Sequence, residues 1–211
     1  MPKVIGGTLA SHREHVISKI YDAMRTMLYE RGFDALTLAE VAKEAGMSRT
    51  AMYNYFPDKE ELLVGFAIHE VDGYLTGLDE ALRAIDNPID QLRTYLRMQL
   101  EYFSGNHLPP GPTLRALLPE HAARKVGAHV RDLEERLQAI VRSGHESRYL
   151  VADDLEATVS LISACINRGS SVVDPDGSAL EDTIASTETF VLRAVEARLG
   201  PDGEPRKITR R

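Results

Sequence analysis

The stretch Thr37–Lys59, TLAEVAKEAGMSRTAMYNYFPDK, decides the fold, because it predicts two short helices joined by a sharp turn. Thr37 and Glu40 have the spacing of a capping box that opens the first helix, and Ser48 is placed to cap the second. Gly46 lies between them, where such a turn requires a positive φ. Two short helices connected in this way form a helix-turn-helix, whose second helix can enter the major groove of DNA.

The rest of the chain is also predicted to be helical, since apolar residues recur with a helical period and no alternating run precedes a hairpin turn. Over the whole sequence, capping signals mark nine helices, and two of these form the motif. The other seven are expected at about residues 11–32, 58–85, 87–103, 113–118, 119–143, 153–169 and 178–199. Residues 200–211, GPDGEPRKITRR, are too polar to pack and predict a flexible basic tail. The expected fold class is therefore all-α.

The residues around the motif resemble the DNA-binding domain of the TetR family of bacterial transcriptional regulators. The resemblance covers roughly residues 12–66 and is carried by Tyr29–Asp34, Thr37-Leu38, Val41-Ala42, Ala45–Ser48, Tyr53–Glu60 and Leu62-Leu63. It implies a nine-helix TetR-like fold. An amino-terminal three-helix DNA-binding domain is expected over residues 1–57, with the helix-turn-helix at about 37–56. A carboxy-terminal helical ligand-binding and dimerisation domain is expected over residues 58–199.

Seven residues of the module are predicted to contact DNA. Arg49 stands at the start of the second helix and can donate two parallel bonds to guanine O6 and N7, so it is the leading specificity residue. Thr50 and Asn54 are secondary candidates for base contacts. As in relatives, phosphate contacts are expected from Thr37, Tyr53, Tyr55 and Lys59. Packing within the module remains an alternative role for the two tyrosines.

The net charge of −7 is unusual for a protein that binds nucleic acid. Counted along the sequence, residues 1–60 hold eight Lys and Arg and eight Asp and Glu, so the negative excess lies in residues 61–211. A basic face is the usual electrostatic footprint of a DNA-binding module. The neutral module therefore predicts an affinity that is moderate and strongly dependent on salt.

The larger domain is expected to enclose a cavity between its fourth, fifth, seventh and eighth helices. The residues predicted to line it for an amphipathic small-molecule inducer are Phe66, His69, Glu70, Tyr74, Gln99, Phe103, Leu117, His121, Cys165 and Asn167. Ordinary core packing is the alternative for the apolar members. His69 and Glu70 have the alternative of a solvated or internally bonded pair.

The last two helices carry a broad apolar surface that predicts a homodimer. Its proposed interface residues are Leu155, Val159, Ile162, Ile184, Thr187, Phe190, Val191 and Ala194. In the TetR family this surface resembles the face that pairs with its twofold mate as a four-helix bundle. The alternative is that these residues close the core of the monomer.

Several classes of protein are disfavoured by the sequence. No apolar run approaches the ~20 residues that span a bilayer, and the start lacks the apolar core of a secretory signal, which predicts a cytoplasmic protein. The single cysteine, Cys165, excludes an intramolecular disulfide framework. No phosphate loop, dinucleotide turn or HExxH motif occurs, so no enzyme activity, cofactor or metal is expected. The leading hypothesis is a dimeric, ligand-released repressor; the alternative is a helical small-molecule-binding or adaptor protein without operator recognition.

Overall fold

The computed structural model describes residues 9–105, 120–173 and 177–209. Its helices are α1 Leu9–Arg31, α2 Leu38–Glu44, α3 Arg49–Tyr53, α4 Lys59–Arg83, α5 Pro88–Gly105, α6 Glu120–Glu146, α7 Leu155–Ser170 and α8 Leu180–Ala194. A two-stranded antiparallel ribbon follows, β1 Arg198–Leu199 with β2 Pro205–Arg206. The predicted all-α fold class is confirmed. The helix expected at residues 113–118 lies outside the described residues.

The described residues fall into two compact units, and the division lies inside α4. The first unit holds residues 9–70 with 120–125, and the second holds 71–105, 126–173 and 177–209. The first turns of α4 belong to the first unit because they bury Leu62, Leu63 and Phe66 there, each at most 2% exposed. The predicted domain boundary between residues 57 and 58 stays a prediction, while the compact unit itself extends to Glu70.

Both predicted caps of the helix-turn-helix are confirmed. The Glu40 backbone N–H donates to Thr37 Oγ1 over 3.3 Å, and the Thr37 N–H donates to Glu40 Oε2 over 3.0 Å. At the second helix the Ala51 N–H donates to Ser48 Oγ over 3.1 Å. Gly46 has a φ of +69°, as the turn was expected to require. These local contacts fix where α2 and α3 begin.

Replacing Gly46 by alanine is expected to destabilise the fold by about 1 to 2 kcal/mol, because a Cβ in the left-handed region approaches the carbonyl oxygen. A clash with neighbouring side chains is not the cause, since a Cβ at Gly46 would meet nothing within 4 Å. Gly73 is the matched control: a Cβ also meets open space, but the residue lies within helix α4. Gly73→Ala should stabilise by up to about 1 kcal/mol. Denaturant titration of both variants checks the two opposite signs.

The second unit has a continuous apolar core. The fully buried side chains of α5 lie four residues apart at Leu92, Leu96 and Leu100. Helix α5 packs against both α7 and α8, and these two helices pack against each other. Arg136 of α6 joins α4 through two bonds to the Asp79 carboxylate, of 2.6 and 2.7 Å. This core gives α7 and α8 a fixed support.

Two predicted helix starts are corrected. Helix α7 is capped by Asp154 rather than Asp153, because the Ala157 N–H donates to Asp154 Oδ1 over 2.9 Å. Helix α8 begins after Ala179, which makes no side-chain cap bond, so its N-cap lies one residue beyond the start expected at residue 178. Adjacent polar residues offer competing caps, and the packing of the helix selects between them.

Gly144 was expected to end its helix, but α6 continues to Glu146. The glycine is required for close packing instead. A Cβ at Gly144 would lie 2.7 Å from Leu150 Cδ2, inside van der Waals contact.

The carboxy-terminal segment is also corrected. Helix α8 ends at Ala194 rather than at residue 199, and the ribbon of β1 and β2 replaces the first part of the flexible tail predicted for residues 200–211. The Ile208 N–H then donates to the Arg148 carbonyl over 2.7 Å. Backbone hydrogen bonds order this segment, and polar composition alone does not reveal them.

Candidate functional site

The outward face of α3 presents polar side chains, while its inner face anchors the helix. Met52 is 0% exposed and Val41 of α2 is 1% exposed, so the two helices of the motif share a small core. Arg49, Thr50 and Tyr53 are exposed on the same short helix. The sequence-predicted base contacts on α3 therefore lie on the accessible face.

Arg49 and Tyr53 interact one helical turn apart. Arg49 Nη2 donates to Tyr53 Oη over 3.4 Å, and the guanidinium carbon lies 5.7 Å from the centroid of the tyrosine ring. A guanidinium carries five N–H donors, so one long bond to a phenol leaves it able to donate in parallel to another partner. The tyrosine thus limits where the guanidinium lies without neutralising it.

Two further cations of the first unit lie over aromatic rings. The guanidinium carbon of Arg13 is 5.1 Å from the centroid of Tyr55, and Lys59 Nζ is 4.7 Å from the centroid of Phe33. Tyr55 and Lys59 are half-buried. The ring of Tyr55 therefore has a packing role, as the sequence allowed, and it also positions a cation.

Thr37 has a stronger internal role than the sequence predicted. Its hydroxyl donates to Glu40 Oε2 over 2.6 Å, so its single hydrogen is already used. This hydroxyl, followed by the Thr37 N–H and the charge of Arg31, holds the pKa of Glu40 below its usual value. A phosphate would have to displace the carboxylate to accept from Thr37. Its phosphate contact stays a prediction, as does the base contact of Asn54, the exposed C-cap of α3.

Three acidic residues of the first unit are paired with arginines. Arg25 binds Asp22 over 2.8 Å and Glu70 over 2.6 Å, and Arg31 lies 3.5 Å from Glu40. By contrast, Arg13, Arg49 and Lys59 lie over neutral rings. Part of the negative charge of the first unit is therefore neutralised internally, by arginines other than those three cations.

The surface formed by Arg49, Thr50, Tyr53, Tyr55 and Lys59 is called the reading surface below.

In the first unit, the residues predicted to bind a ligand all have internal contacts. Phe66 is 2% exposed and its ring centroid lies 5.9 Å from that of Tyr21. His69 lies over the same tyrosine at 4.9 Å, and Glu70 accepts from Arg25. The internally bonded alternative for His69 and Glu70 therefore has direct structural support.

In the second unit, the ring of Tyr74 lies 4.2 Å from that of Tyr102, which lies 5.7 Å from that of Phe103. Gln99 is 3% exposed. On α7, Cys165 is half-buried and Asn167 is exposed. Leu117 and the side chain of His121 lie outside the described residues. The ligand-binding role of all ten residues stays a prediction.

An open apolar groove runs between α7 and α8. Five of the eight predicted interface residues line it, namely Ile162, Thr187, Phe190, Val191 and Ala194. The other three, Leu155, Val159 and Ile184, pack in or against the core of their own unit. The alternative of monomer packing thus has structural support for those three residues, and also for Ile162 and Val191, which belong to the same core. The interface role of all eight stays a prediction.

The most exposed apolar side chain of the groove is one that the sequence interpretation missed. Leu161 is 67% exposed and Phe190 is 62% exposed, and both line the groove. Leu161, Cys165 and Val172 are spaced four and seven residues apart, and this helical spacing is the signal that could have identified the stripe. The exposed residues Leu161 and Phe190, called the groove rim below, offer apolar surface to a partner, whereas the buried positions do not.

Within the described part of the chain, no helix combines the length and apolarity needed to cross a membrane. Among the same residues, no three His, Cys, Asp or Glu side chains come together as ligands of a metal ion would.

Comparison with known proteins places this geometry among bacterial regulators. Residues 20–65 match the family model described as bacterial regulatory proteins, tetR family. The structure is similar to a TetR family transcriptional regulator, PfmR of Thermus thermophilus, with a TM-score of 0.68 and 25% identity. That similarity covers 82% of this chain and 97% of the other.

Two curated relatives match shorter parts of the chain. The nucleoid occlusion factor SlmA of Haemophilus influenzae is 26% identical over 121 residues, which is 57% of this chain. The chain spans about half, 52%, of the length of that relative. The HTH-type transcriptional regulator AlkX of Mycobacterium tuberculosis is 37% identical over 65 residues, 31% of each chain.

Proposed function

This chain belongs to the TetR family of bacterial regulatory proteins, and on that premise we propose that it is a homodimeric transcriptional repressor released from a palindromic operator by a small molecule. The observation that carries the proposal is the reading surface: exposed Arg49, Thr50 and Tyr53 on a helix anchored by buried Met52. In this proposal the protein is located in the cytoplasm, binds DNA and catalyses no reaction.

Each part of the reading surface has a proposed role. Arg49 donates to O6 and N7 of a guanine in the major groove, with Thr50 and Asn54 reading neighbouring positions. Tyr53, Tyr55 and Lys59 bind phosphates and set the register of α3 on the duplex. Arg13 lies over Tyr55 and adds a cation to the same edge. Base contacts supply selectivity, while phosphate contacts supply affinity that salt weakens.

Dimerisation supplies the second copy of α3, which binds the other half-site of the operator. The groove rim of Leu161 and Phe190 exposes apolar surface beside Ala194, and a twofold partner would bury it. A twofold dimer places two α3 helices on successive major grooves, about 34 Å apart, and accounts for a palindromic site. Dimerisation and operator binding are therefore expected to be coupled.

A gel shift on the DNA upstream of the chain's own gene, repeated over a range of salt concentrations, tests the proposal. We expect a complex that weakens steeply with salt and that one compound from a metabolite and drug panel dissociates. The alternative is a ligand-binding or adaptor protein that keeps the fold without operator recognition. Ligand binding with no DNA complex at low salt would favour that alternative.

Lys59→Ala is expected to weaken binding to every DNA sequence alike, because a phosphate contact carries no sequence information. The slope of log affinity against log salt should fall by about 1 for each of the two copies of Lys59 in the dimer. Arg142→Ala is the matched control, since it removes an exposed cation from the second unit and changes the net charge equally. If Arg142→Ala lowers affinity as much as Lys59→Ala, the effect is due to net charge and Lys59 is not a phosphate contact.

A further inference from the structure

One face of α5 buries polar groups in an aromatic surrounding. Tyr95 and Gln99 are 3% exposed and lie one helical turn apart, and Phe103 follows at the same spacing. Tyr74 of α4 approaches this face, with its ring 4.2 Å from that of Tyr102. All of these residues belong to the second unit. They form what is called the tyrosine cluster below: Tyr74, Tyr95, Gln99, Tyr102 and Phe103.

Two polar atoms of the tyrosine cluster are buried without a partner. Tyr74 Oη and Gln99 Oε1 make no hydrogen bond to any residue that the structure describes. Tyr95 shows how a buried hydroxyl of the cluster is satisfied, because it donates to the Leu133 carbonyl over 3.1 Å. Folded proteins leave few buried polar groups unsatisfied, and each exception calls for a specific explanation.

The electrostatic surroundings of Tyr74 Oη are neutral to negative. Burial raises the pKa of Tyr74 well above its usual value, and the nearby Tyr95, Tyr102 and Glu101 raise it further. The phenol therefore stays protonated and remains a hydrogen-bond donor. Gln99 Oε1 is an amide oxygen and can only accept. A site with one donor, one acceptor and a carboxylate nearby disfavours an anionic ligand and suits an uncharged one.

We propose that the tyrosine cluster binds an uncharged aromatic ligand through a hydroxyl group. The ligand hydroxyl donates to Gln99 Oε1 and accepts from Tyr74 Oη, and its ring packs against Tyr102 and Phe103. Phe103 is 40% exposed and marks the edge at which the cluster meets solvent. The inference rests on the proposed ligand-released regulator, since it names the chemical class of the releasing molecule.

Calorimetric titration of the full chain without DNA tests the inference with three probes of similar size. These are 4-methylphenol, p-xylene, in which a methyl replaces the hydroxyl, and the 4-methylbenzoate anion. We expect 4-methylphenol to bind at least about 10-fold more tightly than the other two, since only its hydroxyl pairs both buried atoms. Equal affinities, tightest binding of the benzoate, or no binding of any probe would overturn the proposal.

Two variants separate a ligand contact from a structural role. Tyr74→Phe and Gln99→Met should each weaken 4-methylphenol about 3- to 10-fold and leave p-xylene unchanged, because each deletes one hydrogen-bonding group. Tyr149→Phe, a half-buried tyrosine beside Lys207, should change neither affinity. The melting temperature of ligand-free Tyr74→Phe should be unchanged or higher, since the variant removes a hydroxyl without a partner. A lower melting temperature with unaltered probe binding would assign the hydroxyl a purely structural role.

A crystal structure with an ordered water bridging Tyr74 and Gln99, which the bound probe does not displace, would also contradict the inference. Failure of the inference and failure of the proposed function are distinguishable, because the titrations contain no DNA. A chain that binds 4-methylphenol but no operator keeps the ligand site and loses the repressor role. A chain that binds its operator but no uncharged aromatic probe keeps the repressor role and loses this ligand class.

Discussion

Replacing Phe190 by glutamate is expected to convert the proposed dimer to a monomer and to abolish stable operator binding. The side chain is 62% exposed on the rim of the groove between α7 and α8, so a charge there is solvated in the monomer and does not disturb folding. In a twofold dimer the same charge is buried twice. Loss of a central aromatic contact costs at least about 2 kcal/mol per copy, so two copies weaken dimerisation by roughly 1000-fold.

Sedimentation at micromolar protein and a gel shift at matched concentrations measure the two consequences together. Leu199→Glu is the control, because Leu199 is an exposed apolar residue of β1 that does not line the groove. It should leave both the mass and the operator affinity unchanged. A dimer that persists in Phe190→Glu, or a wild-type chain that is already monomeric, would remove the groove from the proposed interface.

Arg49→Ala is expected to lower the affinity for the cognate operator by about 1 to 3 kcal/mol in each half-site, roughly 5- to 150-fold per half-site, and to relax selectivity at one base pair of each half-site. The guanidinium is exposed and makes one long bond to Tyr53, so its loss should not change stability. Each half-site of a palindrome contains one Arg49, and the selectivity should therefore relax at two symmetric positions.

Arg49→Lys separates charge from geometry. Lysine keeps the positive charge but lacks the planar fork that donates two parallel bonds. Binding to random DNA should therefore stay near the wild-type level, while discrimination at the guanine falls as it does in Arg49→Ala. Fluorescence anisotropy on operator and scrambled duplexes at one salt concentration measures both. Equal losses on the two duplexes for Arg49→Ala would exclude it from base reading.

The parts of the structure that could be predicted from the sequence are those set by short-range chemistry. The capping box of Thr37 and Glu40, the cap at Ser48 and the positive φ of Gly46 each depend on a few neighbouring residues, and all are present. The exposure of Arg49 follows equally from its place at the start of a helix anchored by Met52. Local signals therefore defined most of the reading surface.

The features that were missed depend on how the chain folds back after a helix ends. Gly144 is required by the approach of Leu150, and the ribbon after Ala194 forms through backbone bonds that composition does not indicate. The predicted interface residues proved to be partly buried and partly exposed. The helical period of the sequence marks an apolar face, but it does not show which neighbour covers that face. Leu161 and Val159 lie on the same helix, yet one is 67% exposed and the other 9%.

The position of Cys165 on the groove between α7 and α8 has a practical consequence. It is the only thiol of the chain and it is half-buried there, so a maleimide reagent has a single target whose accessibility depends on what covers the groove. The alkylation rate followed against protein concentration would report the self-association constant directly, without an introduced fluorophore and without any knowledge of the operator.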